Sequence, residues 1–78
     1  SGQAVPKGIA YSPVPGGTRV KVTDLSPEDA YYSDKAKIVG QHCVTKEASN
    51  HNGGGWHGGP VLCGTDDYYF YKVQLEVE

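Results

Sequence analysis

Methionine is absent from this sequence of 78 residues, phenylalanine and tryptophan occur once each, and there are only three leucines and two isoleucines. So little aliphatic bulk excludes a large core. No stretch approaches the ~18 consecutive apolar residues of a membrane-spanning helix, so no membrane insertion is expected. An excess of either charge is also missing: 7 Lys and Arg stand against 9 Asp and Glu, for a net charge of −2. A nucleic-acid surface needs a cationic excess, so nucleic acid is not an expected partner. The same near-neutrality removes one of the two signatures of disorder, low hydrophobicity with high net charge. Lacking methionine, the chain is expected to be a processed mature form or an excised segment, and Ser1-Gly2 carry no weight.

Six tyrosines and Trp56 supply the missing apolar bulk. At this length one domain is expected, with a thin, tyrosine-assisted core. Residues 1–17 hold Pro6, Pro13 and Pro15 and end in Gly16-Gly17. Proline removes ladder donors and glycine adds chain entropy, so this stretch reads as a flexible arm ahead of a domain spanning 18–78. Val5, Ile9, Tyr11 and Val14 give part of it something to pack with.

The first clear strand is Thr18–Thr23, where Val20 and Val22 alternate with Arg19 and Lys21. Ser26-Pro27-Glu28-Asp29 follows as a helix start, with serine as N-cap, proline first and acids in the first turn. The apolar periodicity stops at Tyr32, which predicts one helical turn inside a long loop. Lys37–Thr45 is rich in β-branched residues and reads as a second strand, with Gly40 as a bulge or close approach. Ala48–Gly59 reads as a loop, Val61-Leu62-Cys63 as the start of a third strand, and Gly64–Asp67 as a tight turn. Tyr68–Glu78 carries the strongest β pattern. Its length predicts a bend near Lys72-Val73 that divides it into two strands.

Five short strands without a real helix predict an all-β fold, curled to remove its exposed edges. The order of strands and loops resembles the five-stranded SH3-like barrel. The long loop after the first strand stands where the RT-type loop would be, and Ala48–Gly59 where the n-Src-type loop would be. Acidic and tyrosine residues in the first loop, Gly55-Trp56 before the third strand and the Gly64–Asp67 turn carry the resemblance. An Ala-Leu-Tyr-Asp-Tyr run and a late Pro-x-x-Tyr are missing, unlike in true SH3 domains. Asp29–Lys35, Ile38-Val39-Gly40 and Tyr69–Glu76 are similar to motifs of small uncharacterised bacterial SH3-like proteins. That resemblance implies a fold and no activity. Val20, Val22, Ile38, Val39, Val61, Leu62, Phe70, Val73 and Leu75 are the expected core.

Chemistry is sparse. In a symmetric hairpin centred on Gly53, Cys43 and Cys63 stand opposite each other, within reach of a disulfide. The bridge weighs ahead of two buried thiols, and both ahead of metal or redox chemistry. An even cysteine count in a small, core-poor domain favours an extracytoplasmic location, periplasmic or secreted. His42, Cys43, His51, His57 and Cys63 are zinc-ligand types, yet His42 and Cys43 are strand neighbours pointing to opposite faces, and no Cys-x-x-Cys spacing exists. No cofactor is expected. Asp66-Asp67 reads as a turn rather than paired catalytic carboxylates, and no cysteine has a local catalytic signature, so enzymatic activity is not expected. Glycines 53–55 are followed by Trp56 and a strand, not by the Lys-Ser/Thr and helix of a phosphate loop.

The aromatic residues give the best functional clue. Trp56 in the second loop and Tyr31-Tyr32 in the first, with His57 beside them, are expected to converge on a ligand groove. The expected function is a non-enzymatic binding module for a peptide, protein or cell-surface polysaccharide, acting as a monomer or weak homo-oligomer. The alternatives are a structural accessory domain of a larger or secreted protein and, with least weight, a Cys/His metal protein.

Overall fold

The computed structural model describes residues 5–78 and contains β1 (Gly8–Ile9), β2 (Arg19–Leu25), α1 (Pro27–Ala30), α2 (Ser33–Ala36), β3 (His42–Thr45), β4 (Asn50–Gly53), β5 (Trp56–Cys63) and β6 (Asp66–Val77). Every pairing is antiparallel, in the order β1-β6-β2-β3-β5-β4, and a further β5–β6 ladder closes the ring. The result is a small all-β closed barrel of four strands, β2, β3, β5 and β6, with β1 and β4 as additions, a form compatible with an SH3-like fold. Among the described residues, closure leaves only the short β1 and β4 as edges.

Strand inventory departs from the sequence reading in four places. Lys37–Gln41 is not strand: Gly40 sits at φ +91° and its N–H donates to the Val22 carbonyl (2.7 Å), so the chain turns before β3 begins at His42. Val39 in that turn is 45 % exposed, whereas Ile38 is buried. Ala48–Gly59 is a hairpin rather than a loop, because Gly54 and Gly55 both adopt the positive φ that a tight two-residue turn requires. Leu62 alternates outward between Val61 and Cys63 and is only half-buried.

β6 is one strand of 12 residues, not two. Its bend is a bulge: His57 pairs with Val73 and Gly59 with Phe70, so Tyr71 and Lys72 together face Gly58. The extra residue flips the inward phase from Phe70 to Val73, Leu75 and Val77, and β6 passes from β5 to β2 at this point. A matching shift lies on β2 between Val22 and Asp24. Such paired irregularities let one long strand turn the corner of a barrel.

The core is Val20, Val22, Leu25, Ile38, Val61, Phe70, Val73, Leu75 and Val77, joined by Ala10, Val14 and the two cysteines. Within the stretch read as an arm, β1 pairs with β6 and both Ala10 and Val14 are buried; the part at 1–4 lies outside the described residues. Cys43 and Cys63 form a disulfide with Cα atoms 4.5 Å apart. The neighbouring pairs Val44–Leu62 and Thr45–Val61 keep the register symmetric about Gly53 that the sequence predicts.

Candidate binding surface

The first loop is built on an N-capped helical turn. Ser26 is the N-cap of α1, Pro27 occupies the first turn, and the Ser26 hydroxyl accepts from the Asp29 N–H (3.5 Å) while donating to the Asp29 carboxylate (3.1 Å). Asp29 is completely buried. Its two oxygens reach across to the bulge of β6 and accept the Tyr71 N–H (3.0 Å) and the Lys72 N–H (2.8 Å). A bulge leaves such amides without ladder partners, and a carboxylate can accept both. Lys35 from α2 completes the site at 2.8 Å from Asp29 Oδ1.

Burial by itself pushes the Asp29 carboxyl up. The Lys35 ammonium, the Lys72 and Tyr71 amides and the Ser26 hydroxyl outweigh it and hold the group below its usual 3.8. The ion pair is therefore charged at neutral pH, and it ties the first loop to the last strand.

Tyrosines gather over this anchor. The Lys35 ammonium lies 5.1 Å from the Tyr32 ring centre, 5.2 Å from Tyr71 and 5.7 Å from Phe70, within cation–π range. Tyr31 meets Tyr32 edge to face at 5.4 Å. Beside them opens a depression of about 660 Å³ lined by Tyr32, Asp34, Lys35, Asp66, Asp67 and the Tyr68-Tyr69 pair. Lys46 reaches Asp67 at 3.5 Å across exposed surface, a contact of little energetic weight. The surface offers phenol rings for stacking and carboxylates that accept hydrogen bonds or attract a cation.

The sequence-predicted residues separate. Tyr31 and Tyr32 stand exposed on the first loop; Tyr32 lines the depression with Tyr69 and shares the Lys35 ammonium with Tyr71 of β6, while Tyr31 meets Tyr32. Trp56 is half-buried opposite Gln74, one row away, and does not line the depression. His57 alternates inward from Trp56 and is fully buried, held by Ala10 and Ser49. Cys43 lines a separate hollow of about 410 Å³ with Arg19, His42, Val44 and Glu78, where His42 pairs with Glu78. Among the described residues, no three His, Cys, Asp or Glu side chains gather where a metal ion would fit.

Asp29, Lys35, Tyr69 and Tyr71 are the residues that sequence reading missed as a group. The Ser26 N-cap places Asp29 in the first turn of α1, but nothing local marks its second role 42 residues away at the bulge. No family model, no curated protein and no solved structure matches the chain.

Proposed function

We propose that this chain is a non-enzymatic binding module, an SH3-like barrel that takes an extended peptide, a protein segment or a cell-surface polymer across the tyrosine surface between α1–α2 and β6. One observation carries the reading: Tyr31 (84 %), Tyr32 (49 %), Tyr69 (67 %) and Tyr71 (64 %) are exposed in a protein short of core-forming side chains. Apolar bulk left outside a thin core is costly to solubility, and contiguous exposed aromatics mark interaction sites. The partly exposed Lys35, held by the buried Asp29, packs its ammonium against the Tyr32 and Tyr71 rings and restrains them, which lowers the ordering cost of binding. The disulfide suits an oxidising, extracytoplasmic setting, in line with the resemblance to bacterial SH3-like proteins.

Peptide and glycan arrays probed with the intact protein test this reading, followed by NMR titration with any hit. Shifts are expected at Tyr31, Tyr32, Tyr69 and Tyr71. Tyr32→Ala and Tyr69→Ala should each weaken binding at least about tenfold, the ~1.4 kcal/mol that one stacked ring contributes, with Tyr69→Ala leaving the melting temperature unchanged. Loss on Trp56→Phe, with the tyrosine variants unaffected, would move the site to the β4–β5 hairpin and overturn the proposal.

A further inference from the structure

His57 is the one fully buried imidazole, and it serves neither the tyrosine surface nor the disulfide. Its two nitrogens reach two different segments. Nε2 lies 2.8 Å from the Ala10 carbonyl, which can only accept, so Nε2 carries the proton. Nδ1 is then an acceptor, and the Ser49 hydroxyl donates to it at 3.2 Å. The same Ser49 oxygen accepts the Val14 N–H at 3.1 Å. One neutral ring and one hydroxyl thus hold both ends of the 10–14 stretch, with every proton assigned.

That stretch completes the barrel. β5 leaves β6 at the Trp56–Gln74 pair, and β1 pairs with β6 beyond that point through Gly8–Val77 and Ile9–Glu76, while the Ala10 N–H donates to the Leu75 carbonyl (3.0 Å). Ala10 and Val14 fill buried positions. The next residues are anchored without His57: Thr45 Oγ1 donates to the Pro15 carbonyl (2.8 Å), and the Gly17 N–H donates to the Thr45 carbonyl (2.7 Å). Pro15 is therefore a fixed pivot, and His57 is the fastening beyond it.

We propose that His57 is a proton-operated latch on the N-terminal segment, holding residues 8–14 on the barrel while the ring is neutral and freeing them, with exposure of the β6 edge at 75–77, when the ring gains a proton. A proton on Nδ1 turns that atom from acceptor to donor. The Ser49 hydroxyl must then rotate toward the Val14 carbonyl, 3.5 Å away and already accepting the Ser49 N–H at 3.0 Å. The new charge meets no carboxylate among the described groups that face the ring. From β4 it faces His51, whose ring centre is 5.1 Å away and whose Nε2 is buried without a partner; from β6 it faces Val73; from the N-terminal segment, Ala10; and from the loop before β4, Ser49. Burial pushes His57 below its usual 6.5; the hydrogen bond to the Ala10 carbonyl pulls it part of the way back, and the neighbouring His51 adds a smaller downward push. The latch accordingly opens on the acid side of neutrality.

Amide exchange and ¹⁵N imidazole shifts, followed by NMR from pH 7.5 to 4.5 on the whole chain, test this. At neutral pH the ring should show the Nε2–H tautomer. On acidification the Ala10 and Val14 amides should lose at least about tenfold in protection, corrected for intrinsic exchange. Their midpoint should coincide with the His57 titration, while Val20 and Val22 stay protected. Ser49→Ala should loosen the same two amides already at pH 7.5. His51→Gln should raise the midpoint by removing a like charge. Loss of protection at Ala10 and Val20 together would mean global unfolding and would overturn the latch. So would a release midpoint that does not follow the His57 shifts, or an unchanged pH profile in His57→Gln.

Discussion

Removing the Asp29 carboxylate is the sharpest perturbation of the anchor that joins the first loop to β6. Asp29→Ala leaves the Tyr71 and Lys72 amides and the Lys35 ammonium without their acceptor. A buried amide left unpaired costs about 1–3 kcal/mol, and breaking a buried ion pair from one side costs about 3–5 kcal/mol. These terms overlap, because water can enter the space vacated by the carboxylate, so the expected total is about 3–5 kcal/mol. A domain of this size has about 4–12 kcal/mol in all, so the variant should sit near its unfolding threshold. Asp29→Asn should cost about 2–4 kcal/mol, since one amide oxygen replaces two carboxylate oxygens and its NH₂ points at a backbone donor. Lys35→Met keeps the aliphatic stem against Tyr32 and Phe70 and leaves the carboxylate its three other donors, so it should cost least, about 1–3 kcal/mol. Urea unfolding followed by Trp56 fluorescence gives the ranking, and amide exchange at Tyr71 and Lys72 locates the damage. The sign with pH follows from the lowered carboxyl: its contribution is full above about pH 4, the unfolded value, and is lost as pH falls through the lower folded value. The gap between wild type and Asp29→Asn should therefore narrow below about pH 4. An Asp29→Ala protein within about 1 kcal/mol of wild type, with both bulge amides still protected, would refute the anchor.

Leu75, fully buried on β6 opposite Val22 of β2, should cost about 2–5 kcal/mol on truncation to alanine, measured by urea unfolding. Reduction of Cys43–Cys63 should add about 2 Da to the intact mass, remove about 2–3 kcal/mol and lower the melting temperature by about 10–20 °C; an unchanged melting point with both thiols alkylated would count against any stabilising role. A Cβ added at Gly16 would stand 2.8 Å from the Lys46 carbonyl oxygen, a backbone atom that cannot swing away, so Gly16→Ala should cost about 1–3 kcal/mol by thermal unfolding. The same change at Gly8, with open space around it, meets only the penalty of a positive φ, and the smaller loss should appear in the same assay.

The sequence by itself determined what depends on near neighbours or on symmetry. Alternation at Val20 and Val22 placed β2, since a period of two admits one buried face. Ser26-Pro27 began α1, because a cap is chosen by the residues next to it. The equal spacing of Cys43 and Cys63 about Gly53 foretold both the β3–β5 register and the bridge, since a slip of one residue would send the two cysteines' partners to opposite faces. Tertiary structure decided the rest. The place of Gly40, at the turn where the β2–β3 ladder begins, depended on the Val22 carbonyl of the adjacent strand that its N–H meets. The bulge at Tyr71-Lys72 needed an acceptor brought from Asp29, and that bulge, not the alternating pattern, sent Phe70 inward and left Tyr69 and Tyr71 outside. Trp56 and His57 looked equally available in a glycine-rich stretch. Pairing of β4 with β5 made them successive strand residues, so one had to face out and the other in. The N-terminal stretch, with its prolines and glycines, carried no strong pattern of its own. Its place was set by Ala10 and Val14 finding His57 and Ser49, contacts that exist only once the barrel has closed.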